Sequence, residues 1–283
     1  MAAGVAAGRV HEALGAATDA LTAAGVDTPR LDAELLLGAA AGLDRARLAA
    51  EPDAAVPPDA ARRLGEMVRR RIRREPVAYI LGRKGFRRIE LAVDGRALIP
   101  RPETELLVEI AVELEPGAAL DVGTGSGAVA LAIADELPAC EVTATETSTR
   151  ALALAAENAE RLGIGGRVRL ERGTVPDGGR FDLVLANLPY VREDEWGGLA
   201  PEITLYEPRE ALVAGPDGIE VIASVAPAAV AALAPGGSLA FEVGAGQAGP
   251  VAELMLDLGF GQVEGRQDLG GIPRVVLGRM GSG

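Results

Sequence analysis

Residues 118–127 read Ala-Ala-Leu-Asp-Val-Gly-Thr-Gly-Ser-Gly, and this stretch decides the fold. Ala119, Leu120 and Val122 make a short apolar run of the kind buried on both faces of a parallel sheet. The glycines that follow let the backbone pass close beneath a ligand and aim amides at it from the start of the next helix. Asp121, Gly123, Thr124, Gly125, Ser126 and Gly127 are therefore candidate cofactor-binding residues. Gly123, Gly125 and Ala128 also satisfy the dinucleotide pattern G-x-G-x-x-G/A, so on these residues alone an NAD-dependent oxidoreductase stays open.

Working outward, a helix carrying Leu106, Leu107, Ile110 and Leu114 stops at Pro116-Gly117, ahead of the strand 119–122. Helix 127–137, strand 141–146 and helix 149–162, with Ser148 or Thr149 as cap, come after it. Strands 167–171, 181–186 and 238–243, helices at about 217–233 and 248–258, and a strand pair near 260–264 and 273–278 complete the pattern. Repeated strand-helix units predict an α/β, mostly parallel, doubly wound Rossmann-like sheet that receives ligands at the carboxyl ends of its strands. Glu146 ends one such strand, where a carboxylate can accept both hydroxyls of a ribose. Asn187-Leu188-Pro189-Tyr190 follows another, the apolar run 181–186, and Asn187 is one of only two asparagines, with Asn158.

The amino-terminal part differs. Val10, Ala13, Leu14, Ala17 and Leu21 recur at helical spacing. Thr28 and Pro29 open a second helix with Leu31, Leu35 and Leu36. A third runs from about Asp59 through Leu64, Met67, Val68 and Ile72, with arginines on its opposite face. Ile89, Leu91 and Val93 alternate, and Asp94-Gly95 signals a turn before Ala97 to Ile99. The expected division is a helical domain over 1–76, a linking β-hairpin over 77–100 and a catalytic domain over 101–283.

Composition narrows the chemistry. Of 283 residues, 48% are apolar but only 3% aromatic, so the core must be Ala, Val, Leu and Ile. Cys140 is the sole cysteine and His11 the sole histidine, which excludes an intrachain disulfide framework and a Cys/His zinc site and speaks against a Ser-His-Asp triad. No metal is expected. The net charge is −13, yet residues 62–101 hold 12 arginines and Lys84 against Glu66, Glu75, Glu90 and Asp94. Stable nucleic-acid binding is not expected of so acidic a chain, although the arginine-rich segment could steer an acidic or RNA-bearing partner. The start MAAGVAAGRV has no basic region followed by an apolar one, and no stretch approaches about 20 uncharged apolar residues. No membrane association and a cytoplasmic location are the expectations.

Several motifs in order, Pro29 to Leu36, Glu75 to Gly82, Leu98 to Glu105, Asp121 to Gly127, Asn187 to Tyr190, Glu207-Pro208-Arg209 and Glu242-Val243-Gly244, resemble the release factor glutamine N(5)-methyltransferases of PrmC/HemK type, a family of class I S-adenosylmethionine-dependent methyltransferases. The resemblance implies a seven-stranded methyltransferase sheet, a small helical substrate-recognition domain, S-adenosylmethionine as cofactor and peptide chain release factors as protein substrates, with a monomer expected. It assigns the reacting glutamine amide, in a Gly-Gly-Gln loop, to the Asn187 side-chain oxygen and the backbone carbonyl of Leu188, with Pro189 stiffening the loop and Tyr190 beside the amide. Arg101 and Glu103 are carried as substrate-binding candidates and Thr174 as the residue near the adenine. Three positions depart from the family pattern: Leu188 replaces the first proline of Asn-Pro-Pro-Tyr, Glu146 stands where aspartate is commoner, and Thr174 where aspartate is frequent. An adenine N6 methyltransferase shares the Asn-x-Pro-Tyr logic, because an exocyclic amine is likewise conjugated. A cofactor-free interaction module would leave the glycine turn and Glu146 without a task.

Overall fold

The computed structural model describes residues 8–178 and 180–281; residues 1–7 of the start read above for a leader lie outside them. Two compact units result, one formed by the residues up to Gly82 together with Ala200–Tyr206, the other by Arg83–Leu199 together with the residues from Glu207 onward.

The first unit holds α1 (Val10–Ala23), α2 (Pro29–Ala41), α3 (Arg45–Ala50), α4 (Pro58–Ile72) and α5 (Val77–Leu81). The stripe Val10, Ala13, Leu14, Ala17 and Leu21 packs with Leu36, Leu37, Leu64 and Val68 into one apolar core, each leucine adding about 2 kcal/mol relative to exposure. Two details depart from the sequence reading. The Thr28 hydroxyl does not cap α2 but donates to Asp32 Oδ1 at 2.9 Å. On α4 the buried stripe contains Arg71, while Ile72 is exposed. The reason is charge: Arg71 Nε reaches Asp32 Oδ2 at 2.6 Å and its Nη2 reaches Glu202 at 2.7 Å, so a cation is needed among these shielded acids. Residues 77–81, expected within the hairpin, form the helix α5, whose Ile80 joins the helical core.

In the second unit, β1 (Arg83–Phe86) and β2 (Ile89–Ala92) form the antiparallel hairpin. It is shorter and earlier than expected: Arg87 turns the chain in the left-handed region at φ +50°, and residues 97–99 form no returning strand. Glu136 and Glu109 bind the Arg87 guanidinium and Glu105 takes its amide, which holds this unusual turn. The chain continues through α6 (Glu105–Leu114), β3 (Ala118–Val122), α7 (Ala128–Glu136), β4 (Glu141–Glu146), α8 (Thr149–Arg161), β5 (Val168–Arg172), β6 (Phe181–Ala186) and β7 (Val191–Arg192). After α9 (Pro201–Tyr206), which belongs to the first unit, come β8 (Val213–Gly215), α10 (Glu220–Ala231), β9 (Leu233–Glu242), α11 (Ala248–Asp257), β10 (Phe260–Gln267) and β11 (Pro273–Met280).

Seven strands make the main sheet in the order β10-β11-β9-β6-β3-β4-β5. The five from β9 to β5 run parallel, and β11 and β10 close the edge antiparallel. Strand order reverses at β3, whose next strand in sequence lies on one side and β6 on the other, the switch point at which doubly wound sheets open a crevice. Register then sets the site. Val122 pairs with Thr145 and Ala186, and Ala186 pairs with Phe241. Gly123, Glu146, Asn187 and Glu242 are each the next residue along, so they come side by side at one edge of the sheet.

Candidate active site

A cavity of about 300 Å³ opens at this edge, within the size range of small-molecule sites. Asp121, Gly123, Thr124, Gly125, Ser126, Glu146, Thr174, Asn187, Leu188, Pro189 and Arg101 all line it. Gly127, Tyr190 and Glu103 do not, although sequence reading placed them in the site.

The glycine turn is held from below. Asp121 is buried, and its Oδ2 accepts the Thr124 hydroxyl at 2.6 Å and the Ala130 amide at 3.1 Å. Burial pushes its carboxyl up to about 6, with the nearby Glu146 charge adding to the effect. The amides of Gly123 and Thr124 both donate to the Thr145 carbonyl at 2.9 Å, tying the turn to the end of β4. Gly125 sits at φ +58° with nothing nearer than 4.0 Å to a would-be Cβ, so a side chain there would stand in the cavity. At Gly127, φ +88°, a Cβ would meet Leu131 Cδ1 at 2.7 Å and Ala155 Cβ at 3.3 Å; its role is packing beneath the helix start.

Glu146 is braced by backbone, Oε2 accepting the Gly125 amide at 3.0 Å and Oε1 the Ser148 amide at 2.8 Å. The Gly173 amide donates to the Glu146 carbonyl at 3.0 Å, which brings Thr174 to the same wall. Asn158, with no role in the sequence reading, clamps the turn from behind: it exchanges hydrogen bonds with Ala92 and donates to the Ser126 carbonyl at 2.9 Å.

The facing wall is the strap 96–101. Buried Glu207 accepts the Ile99 amide at 3.0 Å and pairs with Arg101, so the Glu-Pro-Arg motif anchors the strap. Arg101 is thus both a cavity residue and one half of an ion pair. The loop at the end of β6 supplies the floor. Leu188 is buried, its Cδ2 3.2 Å from a would-be Gly123 Cβ, so the departure from proline is absorbed by packing under the turn. Asn187 Nδ2 donates to Thr104 Oγ1 at 3.0 Å. The Tyr190 hydroxyl donates to Glu242 Oε1 at 3.4 Å, and burial pushes its phenol up to about 12. Its carbonyl accepts Gln247 Nε2 at 2.9 Å. Glu242 is buried; desolvation lifts its carboxyl to about 7 against hydrogen bonding from Thr104 and Tyr190. Thr104 and Glu242 had no assigned role; the only signal in the sequence was their place inside the quoted motifs.

The comparisons with known proteins agree with this geometry. Residues 12–82 match the PrmC N-terminal domain and residues 102–215 the methyltransferase small domain. A curated relative from Geobacter sulfurreducens, named release factor glutamine methyltransferase, is 44% identical over 91% of this chain and 92% of its own length. The chain belongs to the release factor glutamine methyltransferase family. A second member of that name, from Cereibacter sphaeroides, is 41% identical over 96% of this chain and 99% of its own. The crystal structure of a Pyrococcus furiosus methyltransferase shares the fold, with a TM-score of 0.52 and 23% identity over 68% of this chain and 88% of that one. As a member of the release factor glutamine methyltransferase family, the protein is a methyltransferase whose methyl donor is S-adenosylmethionine. The open space above Gly125 and the carboxylate of Glu146 beside it fit such a donor. Among the described residues no helix is long and apolar enough to cross a membrane.

Proposed function

We propose that this protein methylates the side-chain amide nitrogen of the glutamine in the Gly-Gly-Gln loop of a peptide chain release factor. The observation that carries the reading is the placement of Asn187: it lines the donor cavity, and its Nδ2 is committed to Thr104, which leaves Oδ1 for a substrate amide.

A carboxamide nitrogen is a poor nucleophile because its lone pair is delocalised into the carbonyl. A site must therefore hold the amide and favour charge building on nitrogen. Oδ1 of Asn187 and the carbonyl of Leu188 are two acceptors for its two hydrogens, set before the reaction begins, and such preset dipoles act most strongly in a site closed to water. Glu146 accepts ribose hydroxyls, Thr174 lies beside the adenine, and the open space at Gly125 admits the donor over the turn. When bound, S-adenosylmethionine supplies a methyl carbon on a sulfonium, already electrophilic. Holding both partners in line then contributes through proximity.

The helical unit recognises the body of the release factor. The five arginines between residues 69 and 74 divide into two groups: Arg70, Arg71 and Arg74 are engaged with Glu75, Asp32 and Glu202, while Arg69 and Arg73 are exposed with no ion pair among the described residues. Those two are the candidates for an acidic partner surface. The protein acts as a monomer in the cytoplasm and holds no nucleic acid stably.

The test is methylation of a purified release factor, read by peptide mass spectrometry at the Gly-Gly-Gln glutamine. Wild type adds one methyl there, and Asn187→Ala loses about a hundredfold or more in rate, roughly 2.7 kcal/mol of barrier, while staying folded. Methylation at a different residue type, or full activity of Asn187→Ala, overturns the reading.

A further inference from the structure

We propose that Thr104 and Glu242 are positioning residues for methyl transfer: together they fix the Asn187 side chain so that its oxygen, and not its nitrogen, faces the substrate amide. This rests on the glutamine-methylation reading above and deepens it.

The two ends of an asparagine amide are nearly equal in size, so packing alone selects weakly between its two orientations, and hydrogen-bond polarity must decide. An ionised carboxylate accepts only, and Glu242 takes that form as pH rises through about 7. Thr104 has a single hydroxyl hydrogen, and the acid it can turn to is Glu242 at the neighbouring strand end, whose carboxyl Thr104 holds below the level that burial alone would set. The Thr104 oxygen is then left as an acceptor, filled by Asn187 Nδ2 at 3.0 Å. The direction runs from Asn187 through Thr104 to Glu242, and it ends with Oδ1 turned to the cavity. Tyr190 donates into the same carboxylate at 3.4 Å, so both flanks of the Asn-Leu-Pro-Tyr loop hang on one buried acid.

Three further observations support the assignment. The pairing of Ala186 with Phe241 puts Asn187 and Glu242 at neighbouring ends of β6 and β9, so the link is set by the sheet. Glu242 is 1% exposed, and its Oε2 has no hydrogen-bond partner among the described residues. A buried acceptor left unsatisfied costs stability, and folded proteins keep few such groups, some of them because a catalytic task requires it. The charged groups around it are mixed, with Glu103 opposing its ionisation and Arg274 favouring it.

Substitution at either position breaks the polarity without changing the shape. Thr104→Val removes the hydroxyl. Glu242→Gln gives position 242 an amide donor, which can reverse Thr104 and free Asn187 to turn its nitrogen inward. The experiment measures kcat and KM for release factor methylation together with S-adenosylmethionine affinity by calorimetry. Thr104→Val and Glu242→Gln are expected to lower kcat about tenfold or more with KM and donor affinity changed far less. Thr104→Ser, which keeps the hydroxyl, recovers most of the wild-type kcat. Adding Thr104→Val to Asn187→Ala costs little beyond Asn187→Ala alone, because the orienting group then has nothing to orient. If wild type methylates the glutamine and both variants keep kcat within about threefold, the relay is overturned while the functional reading stands. A Thr104→Ser variant as slow as Thr104→Val also overturns it, since shape would then matter and polarity would not. A wild-type protein that does not methylate the glutamine overturns the functional reading and this inference with it.

Discussion

Glu146 Oε2 accepts the Gly125 amide at 3.0 Å, so the acid that ends β4 also fixes the tip of the glycine turn. Its Oε1 takes the Ser148 amide at the start of α8. A carboxylate has about four lone-pair sites, which leaves room on Oε2 for a ribose hydroxyl, while Oε1 also takes the Thr147 hydroxyl at 3.4 Å, a long contact that a second ribose hydroxyl would displace. Turn shape and, on the proposed reading, ribose recognition therefore depend on one side chain.

Glu146→Ala is expected to weaken S-adenosylmethionine binding by about 1.5 to 3 kcal/mol, as calorimetry will read, because a charge-assisted acceptor and the brace on Gly125 go together. Glu146→Gln keeps one acceptor and should lose less. Unchanged affinity in the alanine variant would place the ribose elsewhere.

Gly125 and Gly127, neighbours in one turn, should respond in opposite ways. Gly125→Ala adds a methyl toward the cavity at φ +58°; donor binding falls sharply while thermal stability drops by only about 1 kcal/mol, the cost of a left-handed alanine. Gly127→Ala drives a methyl into Leu131 and Ala155 at φ +88°, and overpacking of that kind adds about 1 to 3 kcal/mol of destabilisation. Calorimetry and thermal unfolding on both variants separate the two roles.

In the helical unit, Arg71 stands between Asp32 and Glu202, with the Arg71 and Asp32 side chains each 6% exposed. Arg71→Met leaves the shielded Asp32 without its cation while Glu202 keeps Arg74, and a loss of about 3 to 5 kcal/mol is expected in denaturant unfolding. A loss below about 1 kcal/mol would mean the acids are solvated in the folded protein.

The pH dependence of stability has a definite sign. The folded-state pKa of Glu242 is lifted from its ordinary 4.5 to about 7. Its protonated form therefore favours the folded state fully below about pH 4.5, and that contribution is lost as pH rises through 7, a difference of about 3 kcal/mol. Glu242→Gln removes the ionisation. The stability of the variant relative to wild type should rise from pH 4.5 to pH 7.5, in unfolding titrations run side by side, even as its methyl transfer slows. A flat difference across that range would show that Glu242 ionises in the folded protein as it does in water. Asp121, lifted to about 6 by burial, acts with the same sign in both proteins and cancels from the comparison.

Local pattern carried the catalytic half of the molecule. An apolar strand followed by glycines, and two further strands ending in Glu146 and Asn187, announce themselves by periodicity, and parallel register does the rest. Where the reading failed, the missing information was long-range. Arg83-Lys84-Gly85-Phe86 carries too much charge to look like a strand, and the turn after it exists because Arg87 meets Glu136, 49 residues on. Arg71 looked solvent-facing because its partners Asp32 and Glu202 lie far along the chain on either side. Asn158 looked like one polar residue on a helix, yet it locks Ala92 to Ser126. Polarity of a hydrogen-bond chain, as in Asn187, Thr104 and Glu242, has no periodicity to read at all.

The seven residues Ala200–Tyr206 belong to the helical unit although they lie in sequence between the Asn187–Tyr190 loop and Glu207. The helical unit is thus assembled from two stretches of gene, and it cannot be excised by a single cut at Gly82. The carboxy-terminal fragment made that way would carry Glu202 and Tyr206 into solution stripped of Arg71, Arg74 and Arg73, which hold them in the whole chain. Exchanging this unit between relatives would require transplanting both stretches together, with the graft points at Gly82 and on either side of α9.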